Sequence, residues 1–223
     1  MEILYLDNHL LVVNKAAGQP VQADRSGDAD LLAEAKRLIG EKFNKPGNVF
    51  VGLVHRLDRP VSGVLVLART SKAASRLSAQ FRERTVEKEY VALVEGRVTE
   101  GGTIASFLRK EGLRVRQVSG GTAGGKEAEL RFEPLGILGR RSLVKVVPLT
   151  GRPHQIRVQL SNQGFPIVGD LKYRASEAFD GRNIALHCYR MTLAHPVGGQ
   201  RMTWTAPLPS TWPGDVVDLL ERE

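Results

Sequence analysis

Asp58 stands in the segment H-R-L-D-R-P-V-S-G, between two apolar runs at 49–54 and 64–68, and just ahead of a turn marked by Pro60 and Ser62-Gly63. A strand, a tight turn and a second strand would hold its carboxylate at a strand end. The apolar flanks lower the local dielectric, and a carboxylate in such surroundings stays ionised only beside a cation or hydrogen-bond donors. Arg56 and Arg157 are the candidates, since arginine keeps its charge when buried. An ionised, oriented carboxylate can act as a nucleophile. An Asp–Arg pair that merely braces a turn satisfies the same spacing.

Two further clusters carry suitable side chains. Tyr90 lies in the strand-like run 86–95, where its ring can stack on a base or fill a core. Lys88, two residues earlier, shares its face and suits a phosphate. In T-G-R-P-H-Q-I-R the pattern predicts a helix starting near Pro153, with Arg157 one turn further on and Arg152 and His154 at its N-terminus. Free backbone N–H groups there favour an anion. An arginine at a helix start opposes the dipole, which points to an acidic partner rather than to helix stability.

Other chemistries find less support. The five histidines (His9, His55, His154, His187 and His195) include no H-E-x-x-H or H-x-H pair, so no metal is expected. Cys188 is the only cysteine, which excludes a disulfide and cysteine-cluster metal sites and fits a reducing cytoplasm. G-T-A-G-G-K is followed by Glu127 rather than by the Ser or Thr that follows the lysine of a phosphate-cradling loop. No cofactor is expected.

The 223 residues carry 32 Lys and Arg against 24 Asp and Glu, a net charge of +8 and a pI near 9.9. That excess favours a polyanionic partner, with the basic stretch Arg109, Lys110, Arg114 and Arg116 as one contact. Aromatic residues make up only 6%, so an extended stacking platform is not the expected binding mode. Neither a membrane span nor a signal peptide is legible.

The elements that must position these groups alternate irregularly. Apolar runs at 3–6 and 10–14, separated by Asp7-Asn8, predict a hairpin. A helix follows from Asp30, its cap, to about Gly40, then strands at 49–54 and 64–68, and a helix capped by Ser71. Beyond 86–95 the pattern predicts basic hairpins or loops through 96–126, strands at 127–133 and 141–149, the helix of 151–164, strands near 184–193 and 201–205, and a short terminal helix. Strands outnumber helices without regular alternation, which indicates an α+β fold on a mixed, mainly antiparallel sheet.

Five ordered blocks give a more specific signal. L-V-V-N-K-A-A-G, H-R-L-D-R-P-V-S-G-V-L-V-L-A, K-E-Y-V-A-L-V-E-G, L-T-G-R-P-H-Q-I-R-V-Q-L and the pair G-F-P-I-V-G-D-L-K-Y and L-H-C-Y-R-M-T-L-A-H-P resemble the RluA-type pseudouridine synthases over residues 3–205. The resemblance implies the pseudouridine synthase fold, a bent sheet flanked by helices and loops, as a single catalytic domain over 1–223 without an S4-like N-terminal domain. It implies isomerisation of uridines in ribosomal or transfer RNA by a cytoplasmic monomer that needs no protein partner. A non-catalytic RNA-binding protein of the same fold is the alternative. By the same resemblance Asp58 is the nucleophile, Tyr90 the active-site tyrosine, Arg157 the partner of the aspartate, and Arg56 the residue that fills the gap left by a flipped nucleotide. His55, Lys88, Arg152, His154, Arg109, Lys110, Arg114 and Arg116 would then face RNA. Four positions depart from the family pattern: Ala16, Val61, Gln159, and Arg174, where glycine is common.

Overall fold

The computed structural model describes residues 1–44 and 46–220. The chain divides into two compact units, Met1–Glu87 with Cys188–Pro207, and Lys88–His187 with Leu208–Glu223.

In the first unit, β1 (Glu2–Leu6) and β2 (Leu10–Lys15) form the expected hairpin. Asp7 makes its turn: Oδ1 accepts the backbone N–H groups of His9 and Leu10, each at 2.7 Å. Helix α1 (Leu31–Lys42) is capped by Asp30, which accepts from Ala33 N at 3.0 Å, and buries Leu31, Ala35 and Ile39 at helical spacing. The run expected as a strand at 49–54 shrinks to β3 (Gly52–Leu53). The reason is competition for an edge. β2 pairs along all of β4 (Ser62–Ala68) on one side, so β3 and β10 (Leu186–Ala194) must share the other. Every residue of β4 is buried. Helix α2 (Ser71–Glu83) is capped by Thr70, one residue earlier than the expected Ser71, through a 3.1 Å bond to Ala73 N. β11 (Arg201–Thr205) pairs antiparallel with β10.

Strand order in the second unit is β5 (Glu87–Glu95), β9 (Arg141–Pro148), β8 (Lys126–Leu138), β6 (Gly102–Glu111) and β7 (Arg114–Val118), with each neighbouring pair antiparallel. β8 continues past the expected end at 133 because the sheet absorbs Pro134 at an irregularity in the register between Pro134 and Gly136. Helix α3 (Gln155–Asn162) is buried on all sides from Gln155 to Ser161. Its Val158 packs with Leu108, Val115 and Ala128 on the inner face of the β6–β7–β8 sheet, together with Tyr173 from a 3-10 turn at Leu171–Tyr173. Helix α4 (Gly214–Leu220) lays Leu219 against Gly136, where an added Cβ would come within 2.6 Å of that side chain. The expected α+β class, with a mainly antiparallel sheet flanked by helices, is the one observed.

Candidate active site

Asp58 opens a four-residue turn, closed by Val61 N–H donating to Asp58 O at 3.0 Å. The turn leads into β4 at Ser62, opposite the end of β2 in the register Lys15↔Gly63. Lys15 is entirely buried there. Its Nζ donates to the carbonyl oxygens of Ala16, Arg59 and Val61 at 2.9, 3.2 and 2.7 Å. Two further bonds join the same strands of chain: Gly18 N–H to Arg59 O at 2.8 Å, and Arg59 Nε to Gly18 O at 2.9 Å. Arg59 also reaches Asp28 and Asp24. The Asp58 turn is therefore stapled to loop 15–18 largely through backbone groups, and the half-buried carboxylate sits on a rigid element.

Burial pushes Lys15 down to about 7, opposed by the nearby Asp58 carboxylate and assisted by Arg59. Three carbonyl acceptors require three N–H donors, which only the ammonium form supplies. The staple and the positive charge beside Asp58 are thus the same proton. Close packing completes this end of the unit. Gly63 has φ 113, and a Cβ there would stand 2.3 Å from Cys188 O, so only glycine lets β10 approach.

His55 is drawn inward. Its Nε2 accepts Val66 N–H at 2.9 Å, and its ring stacks on Phe81 at 4.7 Å. That geometry gives it a structural task and lends no support to RNA contact. Arg56 is exposed.

In the second unit, Tyr90 and Lys88 are half-buried on β5, with Tyr90 opposite Val146 of β9 and Lys88 Nζ near Gly151. Arg157 is buried and gripped by Asp170: Nε donates to Oδ2 at 2.7 Å and Nη2 to Oδ1 at 2.9 Å. The guanidinium lies over the Tyr173 ring, 5.1 Å from its centroid. Such a bidentate pair fixes orientation as well as charge. The other polar side chains of α3 are held too. Gln155 accepts from Thr150 Oγ1 at 2.7 Å and donates to Glu129 O at 2.9 Å. Gln159 donates to Ile104 O, Ser106 Oγ and Ala128 O, and its Oε1 is buried without a hydrogen-bond partner among the described residues. These bonds explain how a polar sequence makes a fully buried helix.

The helix begins at Gln155 rather than near Pro153, because His154 has a left-handed backbone at φ 51, ψ 20. Arg152 turns its Nε to Glu127 O at 2.8 Å. The basic hairpin divides by face. Arg109, Arg114 and Arg116 share one side with Glu111, while Lys110 alternates to the other. Arg109 directly faces Arg116, a repulsive pair that Glu111 bridges: it binds Arg109 Nε at 3.1 Å and Arg116 Nε at 3.4 Å. Arginine beside Glu111 holds that carboxyl below its usual range.

Lys15 beside the Asp58 turn, and Asp170 and Tyr173 around Arg157, are residues that sequence reasoning did not single out. Each lay inside a recognised block, but burial and pairing were what marked them. Among the described residues no cluster of three or more metal-ligating side chains occurs.

Comparisons with known proteins identify the family. A family model described as RNA pseudouridylate synthase matches residues 9–162. The ribosomal large subunit pseudouridine synthase D of Pseudomonas aeruginosa is 36% identical over 94% of this chain and 68% of its own length. The tRNA pseudouridine synthase C of Yersinia pestis is 34% identical over 96% of this chain and 89% of its own. In fold, the human RNA pseudouridylate synthase domain containing 4 superposes with a TM-score of 0.79 at 24% identity, over 99% of this chain and 92% of its own. With the Asp58 turn and the buried Arg157 helix inside the matched region, the chain belongs to the RNA pseudouridylate synthase family of enzymes.

Proposed function

We propose that this protein isomerises specific uridines of ribosomal or transfer RNA to pseudouridine, with Asp58 as the nucleophile and the target base flipped out of its stack. The observation that carries the reading is the Asp58 turn, fixed at the mouth of β4 by a buried ammonium that also supplies a neighbouring positive charge.

The reaction breaks the C1′–N1 bond, turns the uracil and joins C5 to C1′. No oxidation state changes and no group leaves for a second molecule, so the chain's own residues suffice. An ionised carboxylate serves either attack at C1′ or removal of a C2′ proton on a glycal route. Tyr90 stacks on the extruded base and assists loss of the C5 proton. Arg157, held in one orientation by Asp170, is the basic residue that the family resemblance assigns to the same reaction. Exposed Arg56 takes the space the base vacates, and Lys88, Arg114 and Arg116 meet the phosphate backbone. RNA shape and a few base contacts select the site.

The test uses RNA extracted from cells lacking the gene, with pseudouridine mapped by carbodiimide primer stops. Asp58→Asn should lower product formation by roughly a thousandfold or more, as removal of a nucleophile does elsewhere, while RNA binding persists. Activity retained in Asp58→Asn would refute the assignment. Unmutated protein that bound RNA but formed no pseudouridine would make it a non-catalytic RNA-binding member of the family.

A further inference from the structure

Residues 22–29 form a strap in contact with the Asp58 turn. Its two ends are pinned together: Leu31 N–H donates to Pro20 O at 2.9 Å and Leu32 N–H to Val21 O at 3.0 Å, with Val21 and Leu31 buried. Between these pins every residue is exposed. A surface loop with ends this close is an Ω-loop, a form that often carries function. The strap braces itself. Asp24 Oδ1 accepts Ser26 N–H at 2.8 Å and Ser26 Oγ at 2.5 Å, and Asp28 N–H donates to Ser26 Oγ at 3.2 Å. Among the described residues, Arg59 is its one hydrogen-bond or ion-pair partner elsewhere in the chain.

Arg59 follows Asp58 directly, and the charge on buried Lys15 responds to both. Its Nε donates to Gly18 O at 2.9 Å, which fixes the guanidinium against loop 15–18. The two outer nitrogens then face the strap: Nη2 pairs with Asp28 Oδ2, and Nη1 lies 3.6 Å from Asp24 Oδ2. Arg59 holds the Asp28 carboxyl below its usual range, and Ser26 does the same for Asp24. Two outward nitrogens in a fixed fork are what arginine offers a phosphate, and carboxylate oxygens satisfy the same donors.

We propose that Arg59 binds a backbone phosphate of the RNA strand around the target uridine, and that Asp24 and Asp28 occupy it until that strand displaces the strap. The inference rests on the proposed function and deepens it. Exposed ion pairs are weak, so the strap leaves Arg59 at small cost, and its pinned ends keep it ready to return. Two tethered carboxylates compete at high effective concentration against a phosphate that arrives alone. An RNA already seated by its other contacts competes on equal terms. The strap therefore selects against loosely held RNA at the position where a phosphate contact fixes register.

The test is a mutant cycle on affinity for RNA extracted from cells lacking the gene, read by filter binding at fixed salt. The double variant Asp24→Asn/Asp28→Asn should bind about 3- to 10-fold more tightly than the unmutated chain. Placed on Arg59→Gln, the same two substitutions should yield only a small part of that gain, because the phosphate contact they unmask is gone. On Arg59→Lys, which keeps the charge without the fork, they should recover part of it. Trypsin should cut after Arg25 several-fold faster in free Arg59→Gln than in the unmutated protein, since the strap has lost its anchor. An equal gain on every Arg59 background would show that the carboxylates only repel RNA, and it would overturn the proposal. So would no gain at all, or cleavage that ignores Arg59→Gln. Binding and cleavage need no turnover, so their outcome is separate from whether the protein makes pseudouridine.

Discussion

The Asp58 turn and the Arg157 helix each hold an ionic group still, by opposite means. Around Asp58 the anchoring acceptors are main-chain carbonyls, gathered by the single ammonium of Lys15. Around Arg157 they are side chains: a bidentate carboxylate from Asp170 and the face of Tyr173. The first arrangement depends on one proton that titrates near neutrality, and the second on a two-pronged ion pair of fixed geometry. A turn of backbone can be rebuilt around many side chains as long as the staple remains. A buried ion pair tolerates no change to either partner.

The largest effect should come from breaking the pair. Asp170→Ala leaves the Arg157 charge buried without its carboxylate and should destabilise the second unit by about 3–5 kcal/mol, read from urea unfolding. A loss below about 1 kcal/mol would mean that the guanidinium finds other compensation and that the contrast between the two regions is weaker than the geometry implies.

Lys15→Met comes next. It keeps the side-chain volume but strips three carbonyls of their donor, which should cost about 1–3 kcal/mol. The pH dependence sharpens the comparison. The folded value of Lys15, about 7, lies below its ordinary 10.5, so between those limits the unfolded chain binds more protons. Taken alone, Lys15 makes the protein more stable as pH rises through that window, and less so as pH falls back toward 7. Activity should run the other way, declining as pH rises past 7 because the charge beside Asp58 and one N–H of the staple are lost together. Unfolding free energies and kcat/KM measured from pH 6 to 10, for the unmutated protein and Lys15→Met, test this. Both trends should vanish in the variant; a wild-type activity profile persisting in Lys15→Met would remove Lys15 from the site.

The smallest effect concerns Arg174, exposed and left-handed at φ 74. The family resemblance leads one to expect glycine at this position, and a left-handed backbone is the conformation that glycine adopts most readily. Arg174→Gly should relieve strain and stabilise by about 0.5–1 kcal/mol, visible as a small rise in melting temperature. A fall in melting temperature would show that the arginine side chain outweighs the backbone cost.

Local signals in the sequence were enough to find most elements. Asp7 and Asp30 were legible as turn and cap because their side chains bond to backbone two or three residues away. The Asp58 block was legible because turn residues interrupt an apolar run. The strand at 49–54 and the helix start near Pro153 were misjudged where distant chain decided the outcome, through an edge already shared with β10 and a histidine ring held by Tyr173.

By itself the sequence determined the fold class and the family, and it supplied the carboxylate proposed here as the nucleophile, since each rests on local periodicity or on contiguous motifs. Only the tertiary structure revealed what holds the Asp58 turn and the Arg157 side chain in place. Lys15 lies 43 positions before Asp58 and reaches its turn only because the end of β2 lies beside the start of β4; Asp170 and Tyr173 hold Arg157 because a short turn brings them onto a buried helix. Burial and hydrogen-bond partners are properties of the packed chain, and no spacing along the sequence encodes them.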